Sequence, residues 1–196
     1  MLKRCFDIVF SAFGIFILSP VFVLIALAIV IDSRGGIFYR QRRVGKDDKD
    51  FFILKYRTMK TNSDKSGLLT VGARDSRITR VGYFLRKYKL DELPQLFNVL
   101  EGDMSFVGPR PEVRKYVDMY TLDQKKVLAV KPGITDYASI EYSNENEILA
   151  KSKNPEQTYI TEIMPHKLQL NLKYINEQSF FTDLKIIFRT VGKIVR

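Results

Sequence analysis

One cysteine, Cys5, and one histidine, His166, are all that this chain of 196 residues has of two common metal-binding side chains. A lone cysteine forbids an intrachain disulfide and fits a reducing compartment. Together the two counts exclude a Cys/His zinc finger and any multi-histidine zinc site. Ser-His-Asp chemistry is excluded unless His166 supplies the base. Any catalysis then falls to carboxylates, Lys/Arg, hydroxyls and an added metal ion. The chain also lacks internal repeats and low-complexity tracts. Its length fits one domain with room for an appendage. That is enough to bury a full core without a disulfide or metal staple.

Charge of one sign is in excess. There are 32 Lys+Arg against 22 Asp+Glu, a formal net charge of +10, in a chain that is 45% hydrophobic. Such a balance calls for an acidic partner: nucleic acid, anionic lipid or a phosphate-bearing substrate. No zinc, helix-turn-helix or RNA-binding signature accompanies the charge, so nucleic acid is not the expected partner.

Residues Ile8 to Ile31 are uncharged and apolar, interrupted only by Ser11, Gly14, Ser19 and Pro20. As helix they would span roughly 36 Å, enough for a hydrocarbon core of about 30 Å. A signal peptide has a shorter apolar region and a small-residue cleavage site. A buried core helix is rarely apolar on every side. Two observations bear on the path of the segment. Pro20 removes a helix hydrogen bond and favours a kink, and the Ser19 hydroxyl is placed to bond a freed carbonyl. Both flanks are basic, with Lys3 and Arg4 before the run and Arg34, Arg40, Arg42 and Arg43 after it. One straight crossing cannot put both ends in the cytoplasm. A helix broken at Ser19-Pro20, entering and leaving by one face, can. A kinked single span is the alternative.

No later stretch approaches 18 apolar residues. Ile37-Phe38-Tyr39 and Phe51-Phe52-Ile53-Leu54, around Gly45-Lys46-Asp47-Asp48, read as a β-hairpin. Residues 60–78 read as a polar, mobile loop. Leu93, Leu96, Phe97 and Leu100 follow helical spacing and are expected in the core. Asp91 and Glu92 fall in the first turn of that helix, where Pro94 is tolerated. Over 182–196, Leu184, Ile187, Phe188 and Val191 form an apolar face beside Lys185, Arg189 and Lys193, with Ser179 or Thr182 as cap. This is either a membrane-interface helix or an ordinary surface helix.

The candidate chemistry lies between residues 80 and 111. Arg80, Arg86, Lys87 and Lys89 precede Asp91-Glu92, and the turn Gly108-Pro109-Arg110-Pro111 follows the helix. Lys55 and Arg57 belong to the earlier strand. Carboxylates at a helix start often only balance its dipole. Arginines beside a helix N-terminus bind phosphate well. A carboxylate among phosphates makes sense if a divalent cation bridges them or if it attacks phosphorus.

At these residues the sequence resembles a known family. Lys55-Tyr56-Arg57-Thr58-Met59, LDELPQLFNVLEGDMSFVGPRPE (90–112) and Lys131-Pro132-Gly133-Ile134-Thr135 are similar to the bacterial sugar transferases, the monotopic polyprenol-phosphate phosphoglycosyl transferases. The resemblance runs from Ser19-Pro20 to Asp183-Leu184-Lys185, as a minimal catalytic unit. It implies transfer of a sugar 1-phosphate from a nucleotide sugar, commonly a UDP-sugar, to undecaprenyl phosphate. That transfer is the first membrane step of bacterial glycan assembly. It implies Mg²⁺, with Asp91 as nucleophile and magnesium ligand. Glu92 is implied as the partner that orients Asp91 or manages a proton, and Arg86 and Arg110 as phosphate holders, with Lys55 and Arg57 added from their positions.

The implied fold is α+β and helix-rich. Residues 1–34 form a re-entrant membrane helix broken at Ser19-Pro20. Residues 35–196 form a cytoplasmic catalytic domain with a small β-hairpin and amphipathic interfacial helices, ending in helix 182–196. The implied place is the cytoplasmic face of the bacterial inner membrane, in contact with its lipid. The chain departs from the family pattern at Lys89, Asp136, Tyr137 and Ser139, which leaves the sugar open. Asn144, Glu145 and Asn146 are either sugar contacts or a plain loop. Rival readings are a non-catalytic membrane-anchored module that binds anionic lipid or nucleic acid, and a phosphohydrolase using the same aspartate.

Overall fold

The structure is a computed structural model, and it describes residues 2–61, 63 and 75–194. Much of the expected loop at 60–78 lies outside the described residues.

The apolar run becomes α1, Leu2–Asp32. It does not end at Ser19-Pro20, where a break was expected. The physical reason is local. Pro20 has no N–H for the carbonyl four residues back, that of Phe16, and the Ser19 hydroxyl donates to that carbonyl at 2.7 Å. The helix absorbs its proline without leaving a backbone acceptor unpaired.

Both halves of α1 touch the same body. Near the start, the buried Asp7 accepts from the Ser105 hydroxyl and the Phe106 amide, each at 3.1 Å. Arg4 donates to the carbonyls of Val99 and Leu100. Near the end, Ile25 and Ile29 pack with Tyr56 and Leu85, and Asp32 accepts from the Val81 amide at 3.1 Å. The rest of the surface is apolar and open: Phe13, Phe16, Val23, Leu27 and Ile31 are more than half exposed.

The expected hairpin is present. β1 (Phe38–Val44) and β2 (Asp50–Tyr56) pair antiparallel from Phe38 opposite Tyr56 to Val44 opposite Asp50. Helix α2 (Arg80–Lys87) follows, capped by the Thr79 hydroxyl accepting from the Gly82 amide. A 3-10 turn, Leu90–Glu92, leads to α3 (Gln95–Glu101). Leu96 is buried as expected, but Leu93, Phe97 and Leu100 are only partly covered. The enclosed positions of α3 are Gln95, Leu96, Asn98 and Val99, because the helix is wedged between α1 and β2. Asn98 acts as a strand residue would. Its side chain accepts from the Leu54 amide at 2.9 Å and donates to the Phe52 carbonyl at 2.8 Å. The free edge of β2 is thereby fixed against the helix that follows Asp91-Glu92.

β3 (Ser105–Val107) and β4 (Gly133–Thr135) form a parallel pair that the sequence did not announce. Gly108 and Gly133 permit it: a Cβ on Gly133 would sit 2.1 Å from the Gly108 nitrogen. The remaining helices are α4 (Arg114–Val117), α5 (Tyr137–Glu141), α6 (Glu145–Ala150), α7 (Pro155–Thr158), α8 (Met164–Asn176) and α9 (Phe180–Ile194). A π-helical segment, Tyr159–Ile163, joins α7 to α8. Ser179 caps α9, its hydroxyl accepting from the Thr182 amide. The α9 face differs from the expected one. Ile186 and Asp183 turn inward, while Phe181, Phe188 and Val191 are 81%, 72% and 54% exposed.

The fold is therefore helix-rich α+β, with a long apolar N-terminal helix and a small antiparallel hairpin.

Candidate active site

Three chain segments meet at Glu92. Strand β2 carries Lys55, the 3-10 turn carries Asp91 and Glu92, and the loop after β3 carries Arg110. The turn starts abruptly because Lys89 sits in the left-handed region at φ 56°. Arg110 is steadied through its backbone. Its amide donates to Asp136 Oδ2 at 3.1 Å, and Asp136 Oδ1 accepts from the Ser139 amide at the start of α5. Asp136 is a fully buried brace for this loop.

Lys55 Nζ lies 2.9 Å from Glu92 Oε1. The Arg110 guanidinium takes both Glu92 oxygens, Nη2 on Oε1 and Nη1 on Oε2 at 3.2 Å. Burial alone would raise the Glu92 pKa, but the charges and hydrogen bonds of Arg110 and Lys55 outweigh it. The carboxyl is held well below its ordinary range. Glu92 is a fixed anion.

Asp91 is different. It is 7% exposed, and its carboxylate has no hydrogen-bond partner among the described residues. Burial raises its pKa, and the neighbouring Glu92 charge adds to the rise, against Lys55, Arg86 and Lys89. Burial lowers the pKa of Arg86, which Asp91 opposes. A desolvated carboxylate without hydrogen bonds, facing cations, is a competent nucleophile once an anionic substrate is neutralised.

These residues open on a cavity of about 930 Å³. Lys55, Arg86, Asp91, Glu92 and Arg110 all line it, so five of the predicted residues converge. Arg57 does not line it. Its guanidinium binds the Ser33 hydroxyl at 2.7 Å and the Ser33 carbonyl at 2.9 Å, which ties off the end of α1. Ser19 and Pro20 lie mid-way along α1. Of the residues left open in sequence, Glu145 and Asn146 line the cavity, as does Ser139. Asn171 and Lys167 on α8 line it too, and sequence reading missed them. A signal existed for Asn171: it lies at helical spacing from Met164, Leu168 and Ile175, a polar residue on an apolar face.

Among the described residues no cluster of three or more His, Cys, Asp or Glu side chains is placed to hold a metal. Mg²⁺ does not require one. It is commonly held by one or two carboxylates, substrate phosphates and water. The unpartnered Asp91 carboxylate beside a cationic cavity fits that donor set.

The whole chain, residues 1–196, matches the family model for bacterial sugar transferases. The chain belongs to the bacterial sugar transferase family. Members similar to it include the UDP-glucose:undecaprenyl-phosphate glucose-1-phosphate transferase of Escherichia coli (strain K12). It is 39% identical over 98% of this chain and 40% of that protein. The UDP-N-acetylgalactosamine-undecaprenyl-phosphate N-acetylgalactosaminephosphotransferase of Aeromonas hydrophila is 36% identical, over 99% of the chain and 44% of that protein. An uncharacterized sugar transferase, EpsL, of Bacillus subtilis (strain 168) is 37% identical over 100% of the chain and 88% of its own length. The chain thus spans less than half of the first two transferases it matches.

Proposed function

We propose that this chain transfers a sugar 1-phosphate from a UDP-sugar to undecaprenyl phosphate through a covalent intermediate on Asp91. The observation that carries the reading is the contrast within the Asp91-Glu92 pair. Glu92 is consumed by Lys55 and Arg110, whereas Asp91 is desolvated and unpartnered among the described residues.

In the first step an Asp91 oxygen attacks the sugar-bearing phosphorus. The bond from that phosphorus to the bridging oxygen breaks, and UMP leaves with the electron pair. In the second step an oxygen of the lipid phosphate attacks the same phosphorus. The bond to Asp91 breaks, the carboxylate is regenerated, and a sugar diphospholipid forms. Lys55, Arg86 and Arg110 offset the diphosphate charge, so an anionic nucleophile can approach. Glu92 is a positioning residue that fixes Lys55 and Arg110. Mg²⁺, held by Asp91 and substrate oxygens, would supply further charge neutralisation.

The two-step route suits a water-soluble donor and a lipid acceptor, which need not be bound together. We take residues 1–34 as the membrane anchor and 35–196 as the catalytic unit. A re-entrant path for α1 is supported by its two ends. Lys3 donates to the Val107 carbonyl and Asp183, and Asp32 accepts from Val81, so both ends are tied to one body. An interfacial α9 is supported by its exposed Phe181, Phe188 and Val191 beside Lys185, Arg189 and Lys193. Both features fit the cytoplasmic face of a bacterial inner membrane.

The test is a panel of UDP-sugars with undecaprenyl phosphate and Mg²⁺, read as UMP release. With acceptor omitted, intact-protein mass spectrometry should find a phosphosugar adduct lost in Asp91→Asn. Absence of UMP release across the panel sinks the reading.

A further inference from the structure

The residues that line the cavity differ in character. On the Arg86 side Tyr88 is 40% exposed and is flanked by the exposed Lys87 and Lys89. Lys87 lies 5.3 Å from the Tyr88 ring centre. The lining from α5, α6 and α8 has a buried wall below a rim at the exposed Ser143 and Asn146. There Ala138, Leu149, Tyr159 and Leu168 are each at most 3% exposed. Yet this apolar wall carries polar atoms with nothing to bind. Ser139 Oγ and Asn171 Oδ1 are buried and have no hydrogen-bond partner among the described residues. Asn171 is only 4% exposed as a whole. An amide in such a place costs stability unless something pairs with it.

We propose that Ser139 and Asn171, on the packed helices α5 and α8, form the hydrogen-bonding subsite that reads the sugar of the donor, with the nucleoside beside the exposed Tyr88. The inference rests on the transferase reading and adds to it the direction in which the donor lies. In the two-step reaction UMP must leave before the lipid phosphate enters, whereas the phosphosugar stays on the protein through both steps. A departing group belongs beside the exposed Tyr88, and a retained one against the buried wall of α5 and α8. Chemistry agrees with the order. A nucleobase stacks on an exposed aromatic ring set among cations. A sugar presents hydroxyl or acetamido groups, which an amide and a hydroxyl can pair with. The Lys167–Glu145 ion pair, at 2.8 Å, adds a polar flank to the same wall.

The test uses the full chain in detergent micelles. Calorimetry in an Asp91→Asn background measures binding of UDP-glucose, UDP-N-acetylgalactosamine and UMP without turnover. Asn171→Ala is expected to weaken the better UDP-sugar about tenfold, the scale of one or two lost neutral hydrogen bonds. UMP should change less than about twofold on the same reasoning, and the ratio between the two donors should shift. Ser139→Ala removes one oxygen and should show the same pattern at about threefold. It carries the test if the Asn171 variant fails to fold. Equal weakening of UMP and UDP-sugar would overturn the assignment, because the subsite would then hold the nucleoside. Unchanged binding of every probe would also overturn it. Asn171 would then be satisfied by a water in the adjoining cavity of about 20 Å³, which is large enough for one. Wild-type protein that binds donors but never releases UMP would count against the transferase reading alone.

Discussion

Glu92 and Arg110 face each other through two parallel hydrogen bonds, and Lys55 closes on the same carboxylate at 2.9 Å. The acidic neighbour of Asp91 is therefore a tether for two cations. Glu92→Gln keeps the shape and removes the charge. Its expected effect is a fall in kcat of about a hundredfold, from mispositioned phosphate-binding charges. KM for the donor should move less. A general-base role would instead shift the acid limb of the pH–rate profile, and an unchanged limb separates the two. Stability gives an independent readout. The folded-state pKa of Glu92 is depressed, so its contribution is present above the unfolded value near about 4.3 and is lost as pH falls through the lower folded value. Wild-type Tm should drop through that acid window, and Glu92→Gln should flatten the drop.

Asp91→Asn should separate activity from stability. Asp91 is 7% exposed and lines the cavity, its carboxylate accepts no hydrogen bond among the described residues, and burial raises its pKa. A raised acid destabilises the fold at every pH above its unfolded value, so neutralising it at pH 7 removes a penalty. UMP release should fall at least about 10⁴-fold, the scale seen when a covalent nucleophile is deleted. Tm should rise by about 2–4 °C, the equivalent of about 1 kcal/mol in a domain of this size. A variant that loses activity and also melts earlier would show that Asp91 supports the fold.

How much of this was readable in advance depended on the range of the interaction. The hairpin and the apolar helix are local patterns and were legible, but the break expected at Ser19-Pro20 is not present in α1. Asp91, Glu92, Arg86 and Arg110 were singled out by the resemblance and Lys55 by its place on the strand, and the fold brings all five to one cavity. Arg57 was misleading. It stands two residues from Lys55, but it follows the end of β2, and its guanidinium turns to the Ser33 carbonyl. The parallel pairing of β3 with β4 joins Ser105 to Gly133. No periodicity spans that separation, and only the close approach of Gly108 to Gly133 explains it. Asn98 hid its role because a side chain that completes a strand edge leaves no spacing signal.

The lone cysteine is a ready reporter of topology. Cys5 is exposed, in the first turns of α1, next to Arg4 and its partners Val99 and Leu100. If α1 enters and leaves by the cytoplasmic face, an impermeant maleimide should fail to label Cys5 in intact spheroplasts and should label it after permeabilisation. Labelling in intact spheroplasts would mean that the helix crosses. Pro20→Ala restores the amide that bonds the Phe16 carbonyl and makes the Ser19 hydroxyl redundant. It is expected to raise the externally labelled fraction.

Two glycines predict opposite outcomes for the same substitution. Gly82 lies in the first turn of α2, and a Cβ there would sit 2.1 Å from the Thr58 carbonyl oxygen, a backbone atom that cannot swing aside. Gly82→Ala must therefore push α2 off the end of β2, carrying Leu85 out of the core and Arg86 away from Asp91. The expected result is a Tm lower by about 2–12 °C, on the scale of overpacking costs, with UMP release lost in parallel. Gly192 lies in α9, and nothing stands within 4 Å of the place an alanine methyl would take. There alanine meets no obstacle and gains the helix propensity that glycine lacks, about 0.8–1.0 kcal/mol in an exposed interior. Position 192 is close to the end of α9, so a rise of about 1–2 °C with activity unchanged is expected. Equal effects at the two positions in thermal melts would mean that α2 does not rest on Thr58, and the placement of Arg86 would fall with it.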